Sequence, residues 1–91
     1  MILVRRTGEG DPLEFEVTVQ EGSSESRHRV TLRPSDLRML AGDRADADRL
    51  IEAVFEFLLD HEPKESILSK FDVSVISNYF PDFKSEIKAY L

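Results

Sequence analysis

His28 and His61 are the only imidazoles in the chain, and no cysteine accompanies them. General acid and base catalysis needs an imidazole held within hydrogen-bond reach of a nucleophile or a carboxylate. Each histidine has a simpler place. His28 stands beside Val19 at the turn end of an alternating segment, where its polar edge can reach water. His61 closes a helical pattern, where a histidine interacts favourably with the helix dipole. His61 with Asp60 or Glu62 makes a poor metal set, because neighbouring residues on a helix diverge by about 100 degrees. The missing cysteines remove thiolate nucleophiles, disulfides and cysteine zinc sites. No metal and no cofactor is expected.

Three other patterns come close to chemistry and stop short. Asp43-Arg44-Ala45-Asp46-Ala47-Asp48 begins like a calcium loop. Counted from Asp46, however, the required glycine is Ile51 and the closing glutamate is Phe57. Acids at a helix start are explained by capping and the dipole. Gly8-Glu9-Gly10 lacks the longer glycine fingerprint and the lysine of a phosphate cradle. No serine sits in a Gly-x-Ser-x-Gly context. An enzyme acting on a small metabolite is therefore the third expectation, behind two kinds of binding protein.

Charge bears on which partner such a protein would take. Eighteen acids against twelve bases leave a net charge of -6, which repels nucleic acid and anionic lipid unless a local patch overrides it. No third of the chain is net basic. The longest apolar runs, Met1 to Val4 and Val54 to Leu59, are far shorter than a membrane span. The amino terminus also lacks a basic segment followed by a long apolar stretch. The expectation is a cytoplasmic protein with no membrane partner. Its 91 residues make one domain, since a chain of this size cannot supply two self-sufficient cores.

The elements that would position any site come from two periodicities. Leu13 to Gln20 and Arg27 to Arg33 alternate apolar with polar and flank Glu21-Gly22-Ser23-Ser24-Glu25-Ser26, the pattern of a hairpin. A turn centred on Ser23-Ser24 predicts Phe15 opposite Leu32, Val17 opposite Val30 and Val19 opposite His28, with Glu14 meeting Arg33 and Gln20 meeting Arg27 on the wet face. Ile2 to Arg6 reads as a third strand, reached through the turn-rich Gly8 to Pro12.

After Pro34 the period becomes helical to the end of the chain. Ser35 caps a short helix, Asp36 to Leu40, stopped by Gly42. The main helix begins at Ala45 or Asp46, buries Leu50, Ile51, Val54, Phe57 and Leu58, and ends before Pro63. A further short helix from Pro63 to Phe71 turns Ile67, Leu68 and Phe71 inward. Asp72 caps Val73 to Tyr79, and Pro81 opens a last helix. The fold class is α+β: a three-stranded antiparallel sheet (residues 1–33, a β-meander) covered on one face by four to five short helices (35–91).

Three surfaces remain as candidates. Residues 64–80 resemble a helix-turn-helix, with Phe71-Asp72-Val73-Ser74 as the turn, which would imply a nucleic-acid-binding regulator. The pattern departs from that motif: Pro81 stops the second helix early, Asp72 stands where glycine is customary, and only Lys70 is at hand for phosphate. Arg27, Arg29 and Arg33 alternate along one strand and could hold an anion, although Glu14 and Glu16 lie opposite and neutralise them. The leading expectation is a non-enzymatic interaction or regulatory module that binds a protein partner or itself. Its surface would be the apolar edge strand with Ile2 and Val4, or the aromatic corner with Tyr79, Phe80 and Phe83.

Overall fold

The structure, a computed structural model, describes every residue except 44 and 45. Those two belong to the acidic run Asp43 to Asp48 and include one of the two expected helix starts, so that part of the expectation lies outside the described residues. The chain forms strands β1 (Ile2–Gly8), β2 (Leu13–Glu21) and β3 (Ser24–Leu32), then helices α1 (Pro34–Ala41) and α2 (Ala47–His61). A 3₁₀ turn at Lys64–Ser66 leads to β4 (Lys70–Asp72). After a second 3₁₀ turn (Val73–Val75) come α3 (Ile76–Tyr79), α4 (Phe83–Glu86) and a last 3₁₀ turn (Ile87–Tyr90).

The fold is α+β, and its sheet has four strands in the order β1-β2-β3-β4, mixed because β4 runs parallel to β3. The expected three strands are present, but the helix expected from Pro63 to Phe71 is not. Leu68 and Ser69 run beside β3, where Arg29 N donates to Ser69 O at 2.8 Å, and Val30 pairs with Phe71. Ile67, Leu68 and Phe71 fit an apolar helical spacing. The β3 edge, however, offers this segment backbone partners and a buried slot for Phe71, and tertiary pairing outweighs local pattern. The two-helix arrangement suggested for residues 64–80 is thus replaced by a strand followed by a short helix.

The hairpin register also differs from the expected one. Phe15 pairs with Val30, Val17 with His28 and Leu13 with Leu32, while Glu16 faces Arg29 and Thr18 faces Arg27. Every partner is displaced by two residues, because the loop is Gly22-Ser23 and not Ser23-Ser24. Gly22 has a φ of +61°, so it can take the left-handed first position of a two-residue hairpin loop, which a side chain resists. A slip of two keeps each side chain on its own face, which is why alternation alone does not resolve it.

Sidedness follows the pattern. Phe15, Val17, Val19, Val30 and Leu32 are buried against the helices, and the acids and arginines between them face outward. In α2, eight of fifteen residues are buried, a stripe too wide for one contact. The helix has the sheet on one side and the C-terminal turns on the other, Phe57 meeting Phe83 and Tyr90 at ring distances of 5.1 and 5.8 Å. Asp46 caps α2 by accepting from Asp48 N. The α1 cap is Arg33 with Pro34 at the first position, not Ser35, and Gly42 ends the helix at φ +86°.

Candidate interaction surfaces

Among the described residues β1 is an edge strand, bonded only to β2. Met1 and Gln20 exchange both backbone hydrogen bonds, each 2.8 Å. Antiparallel ladders alternate, so Met1, Leu3 and Arg5 turn their backbone groups toward β2, and Ile2, Val4 and Arg6 turn theirs outward. The side chains alternate across the sheet instead: Ile2 and Val4 are half-buried against the core, while Leu3 stands 47% exposed on the open face. Arg6 closes the far end. Its guanidinium donates to Asp48 at 3.1 Å and Glu9 at 3.3 Å and lies 5.6 Å from the Phe15 ring centre. A bulge between Arg6 and Gly8 then ends regular pairing.

The open sheet face carries the arginines considered as an anion site. Arg27 is paired with Glu25 at 3.0 Å, and Arg5 with Glu16 at 3.2 Å. Arg29 stands in register between Glu16 and Lys70. Arg33 lies past the end of β3 as the α1 cap, so the three do not share one strand. Acids alternate with bases across this face, the arrangement of a solvated sheet surface.

The aromatic corner divides. Phe83 is 1% exposed and packs edge-on against Phe57, so it belongs to the core and is not available to a partner. Phe80 is half-buried against Phe57 and His61 at ring distances of 5.6 and 5.3 Å. Tyr79, by contrast, is 67% exposed. It stands on the rim of a groove of about 120 Å³ between the end of α2 and α3. The buried Ile67, Phe71 and Ile76 form its floor, the exposed Leu68 and Tyr79 line it too, and Glu62 is the one carboxylate among the described residues of its lining. Partial burial raises the Glu62 carboxyl from its ordinary value, more than the neighbouring His61 lowers it. The groove went unseen in the sequence because it needs β4: a helix over residues 63–71 would have turned Leu68 inward.

The titratable groups away from these surfaces serve the fold. His28 does not reach water. It is 3% exposed, with Nδ1 2.7 Å from Leu68 O, Nε2 2.8 Å from Ser26 Oγ and its ring 5.3 Å from that of Phe55. Nδ1 donating to the Leu68 carbonyl and Nε2 meeting the Ser26 hydroxyl satisfy both ring nitrogens and tie β3 to the residues leading into β4. The signal was in the alternation, which places His28 on the face of Val30 and Leu32. Lys64, 5% exposed, is held by Glu65 and by Glu21 at 3.7 Å. The hydrogen bond to Glu65 raises the lysine and lowers the acid, so the pair stays ionised. Burial pushes Asp72 upward, but hydrogen bonds from Ser74 and Thr31, with the charge of Arg33, outweigh it and hold its carboxyl low.

His61 Nδ1 lies 2.8 Å from Phe57 O and Nε2 lies 3.7 Å from Glu86. No group of three or more metal-ligating side chains occurs among the described residues, and no helix among them is long and apolar enough to cross a membrane. Comparison of the chain with protein-family models, with curated proteins and with solved structures gives no match in any of the three.

Proposed function

We propose that the chain is a non-enzymatic interaction module that pairs through the open edge of β1, and that its partner there is a second copy of itself. One observation carries this. Ile2 and Val4 combine outward backbone groups, which no described residue pairs, with half-buried apolar side chains at the margin of the core, which is the chemistry of strand addition.

Two antiparallel registers suit the outward groups of these residues. A two-fold axis through Val4 sets Leu3 against Arg5 and Ile2 against Arg6, and brings the two Arg5 side chains to diagonal neighbours at roughly 7–8 Å. An axis through Leu3 sets Leu3 against Leu3 and Ile2 against Val4, and separates the two Arg5 by four residue steps, about 13 Å along the strand. Apolar matching and charge separation both favour the second. The result is a continuous eight-stranded sheet with its apolar rows in line.

A strand contact of about five residues buries less than the roughly 1,200–2,000 Å² of a standard interface, so the dimer is weak, with a dissociation constant of micromolar order or above. Sedimentation equilibrium from about 10 µM to 1 mM tests it. Val4→Pro removes an outward N–H and leaves the β1–β2 bonds intact, as proline does at sheet edges. A concentration-dependent dimer lost in Val4→Pro is expected. A monomer at every concentration, or a dimer of equal strength in the variant, would overturn the proposal.

A further inference from the structure

The groove beside Tyr79 is separate from the β1 edge and has its own chemistry. Its volume, about 120 Å³, is close to the roughly 150 Å³ of an apolar cavity that accepts benzene, so it takes one ring-sized or branched side chain. The floor is core: Ile67, Phe71 and Ile76 are buried. The rim is not, since Leu68 and Tyr79, which also line it, are large apolar side chains left in water.

Glu62 gives the site its sign. The carboxylate borders this apolar space and enters none of the ion pairs among the described residues. The adjacent His61 is turned to Phe57 O and Glu86 instead. A carboxylate at an apolar margin without a cation is incompletely compensated, and a cation arriving with the occupant supplies the missing partner. The net charge of -6 steers cationic segments toward the chain and anionic ones away.

We infer that this groove docks a segment of a partner protein in which one phenylalanine- or leucine-sized side chain neighbours a lysine or arginine, the apolar group on the floor and the cation on Glu62. A single anchoring side chain beside one rim-exposed ion pair makes a weak, specific contact, and most of its affinity comes from the anchor.

Amide NMR spectra of the whole chain, titrated with three blocked tetrapeptides, test this. The probes are acetyl-Ala-Phe-Lys-Lys-amide, its Glu-Glu counterpart and acetyl-Ala-Ala-Lys-Lys-amide. The Phe-Lys-Lys peptide should shift the amides of Glu62, Leu68, Val75 and Tyr79 saturably. It should bind about fivefold more tightly than the Glu-Glu peptide, the ratio one exposed ion pair supplies, and the peptide without a ring should not saturate. Glu62→Gln should bring the fivefold ratio to near one. Leu68→Ser or Tyr79→Ala, both at exposed rim positions, should weaken both Phe-containing peptides. Val4→Pro should change nothing, which separates this site from the β1 edge. Equal affinity for the Lys and Glu peptides, or saturation elsewhere on the surface, would overturn the inference. So would movement of the groove amides on dilution of the protein alone, which would make the occupant a second copy.

Discussion

Replacing His28 by alanine probes the join between β3 and β4. The ring is buried, makes hydrogen bonds of 2.7 Å to Leu68 O and 2.8 Å to Ser26 Oγ, and packs 5.3 Å from the Phe55 ring. Two neutral hydrogen bonds contribute about 1 kcal/mol each, and the lost ring contact adds about another 1 kcal/mol. The expected destabilisation is thus about 3 kcal/mol, or roughly 12–24 °C in Tm for a chain of this length.

Urea unfolding followed by far-ultraviolet circular dichroism measures it, with an unchanged slope showing that the change lies in stability and not in compactness. Ser26→Ala, which removes only the hydroxyl partner of Nε2, should cost about 1 kcal/mol or less. Amide exchange offers a local readout. Arg29 N, bonded to Ser69 O, should lose protection in His28→Ala before the β1–β2 amides do. A loss below about 1 kcal/mol at unchanged slope, or equal exchange at Arg29 in both proteins, would refute the claim that this histidine fastens the fourth strand.

Two further outcomes follow from the ionisable groups. Tyr90 Oη donates to Asp60 at 2.6 Å, and that bond, with burial and the charges of Asp60, Glu86 and Glu56, pushes the phenol up to about 12. The neutral phenol is the form the fold favours, so its contribution is complete below the usual tyrosine value near 10 and fades as pH rises toward 12. An absorbance titration at about 295 nm should show a phenol titrating near 12 that Tyr90→Phe removes. Asp72 has the opposite sign: its carboxyl is held low, so its contribution is complete above the unfolded value near 3.9 and is lost as pH falls through the folded one. Asp72→Asn should flatten acid unfolding below about pH 4, measured by the urea midpoint as a function of pH.

Alternation showed the faces of the sheet because it reports side-chain direction, and Phe15, Val17, Val30 and Leu32 are buried together. Pairing partners were not legible to the same degree. A displacement of two leaves every face unchanged, and the deciding fact is the left-handed backbone at Gly22, one of two glycines with positive φ. Capping signals worked where a side chain accepts a backbone N–H, as at Asp46 and Asp72. They misled at Ser35, where Pro34 already starts the helix.

The fourth strand was hidden because three residues of it take their conformation from β3 and have little pattern of their own. The groove depends on that strand and was hidden with it. Of the residues singled out for interaction, Ile2, Val4, Tyr79 and Phe80 keep surface accessible, and Phe83 does not. An aromatic cluster read from sequence does not say which ring fills the core.

Cross-linking from single cysteines tests the self-pairing of β1 most directly, since the chain has no cysteine of its own to confuse the result. With the axis at Leu3, the two Leu3 positions form a non-hydrogen-bonded pair with α-carbons about 4.5 Å apart, within disulfide reach. Two Arg5 positions are about 13 Å apart. Under mild oxidation Leu3→Cys should yield a covalent dimer at least about tenfold faster than Arg5→Cys, each position being exposed on the same face. Equal rates in the two variants, or no dimer from either, would contradict the pairing and with it the proposed role of the edge.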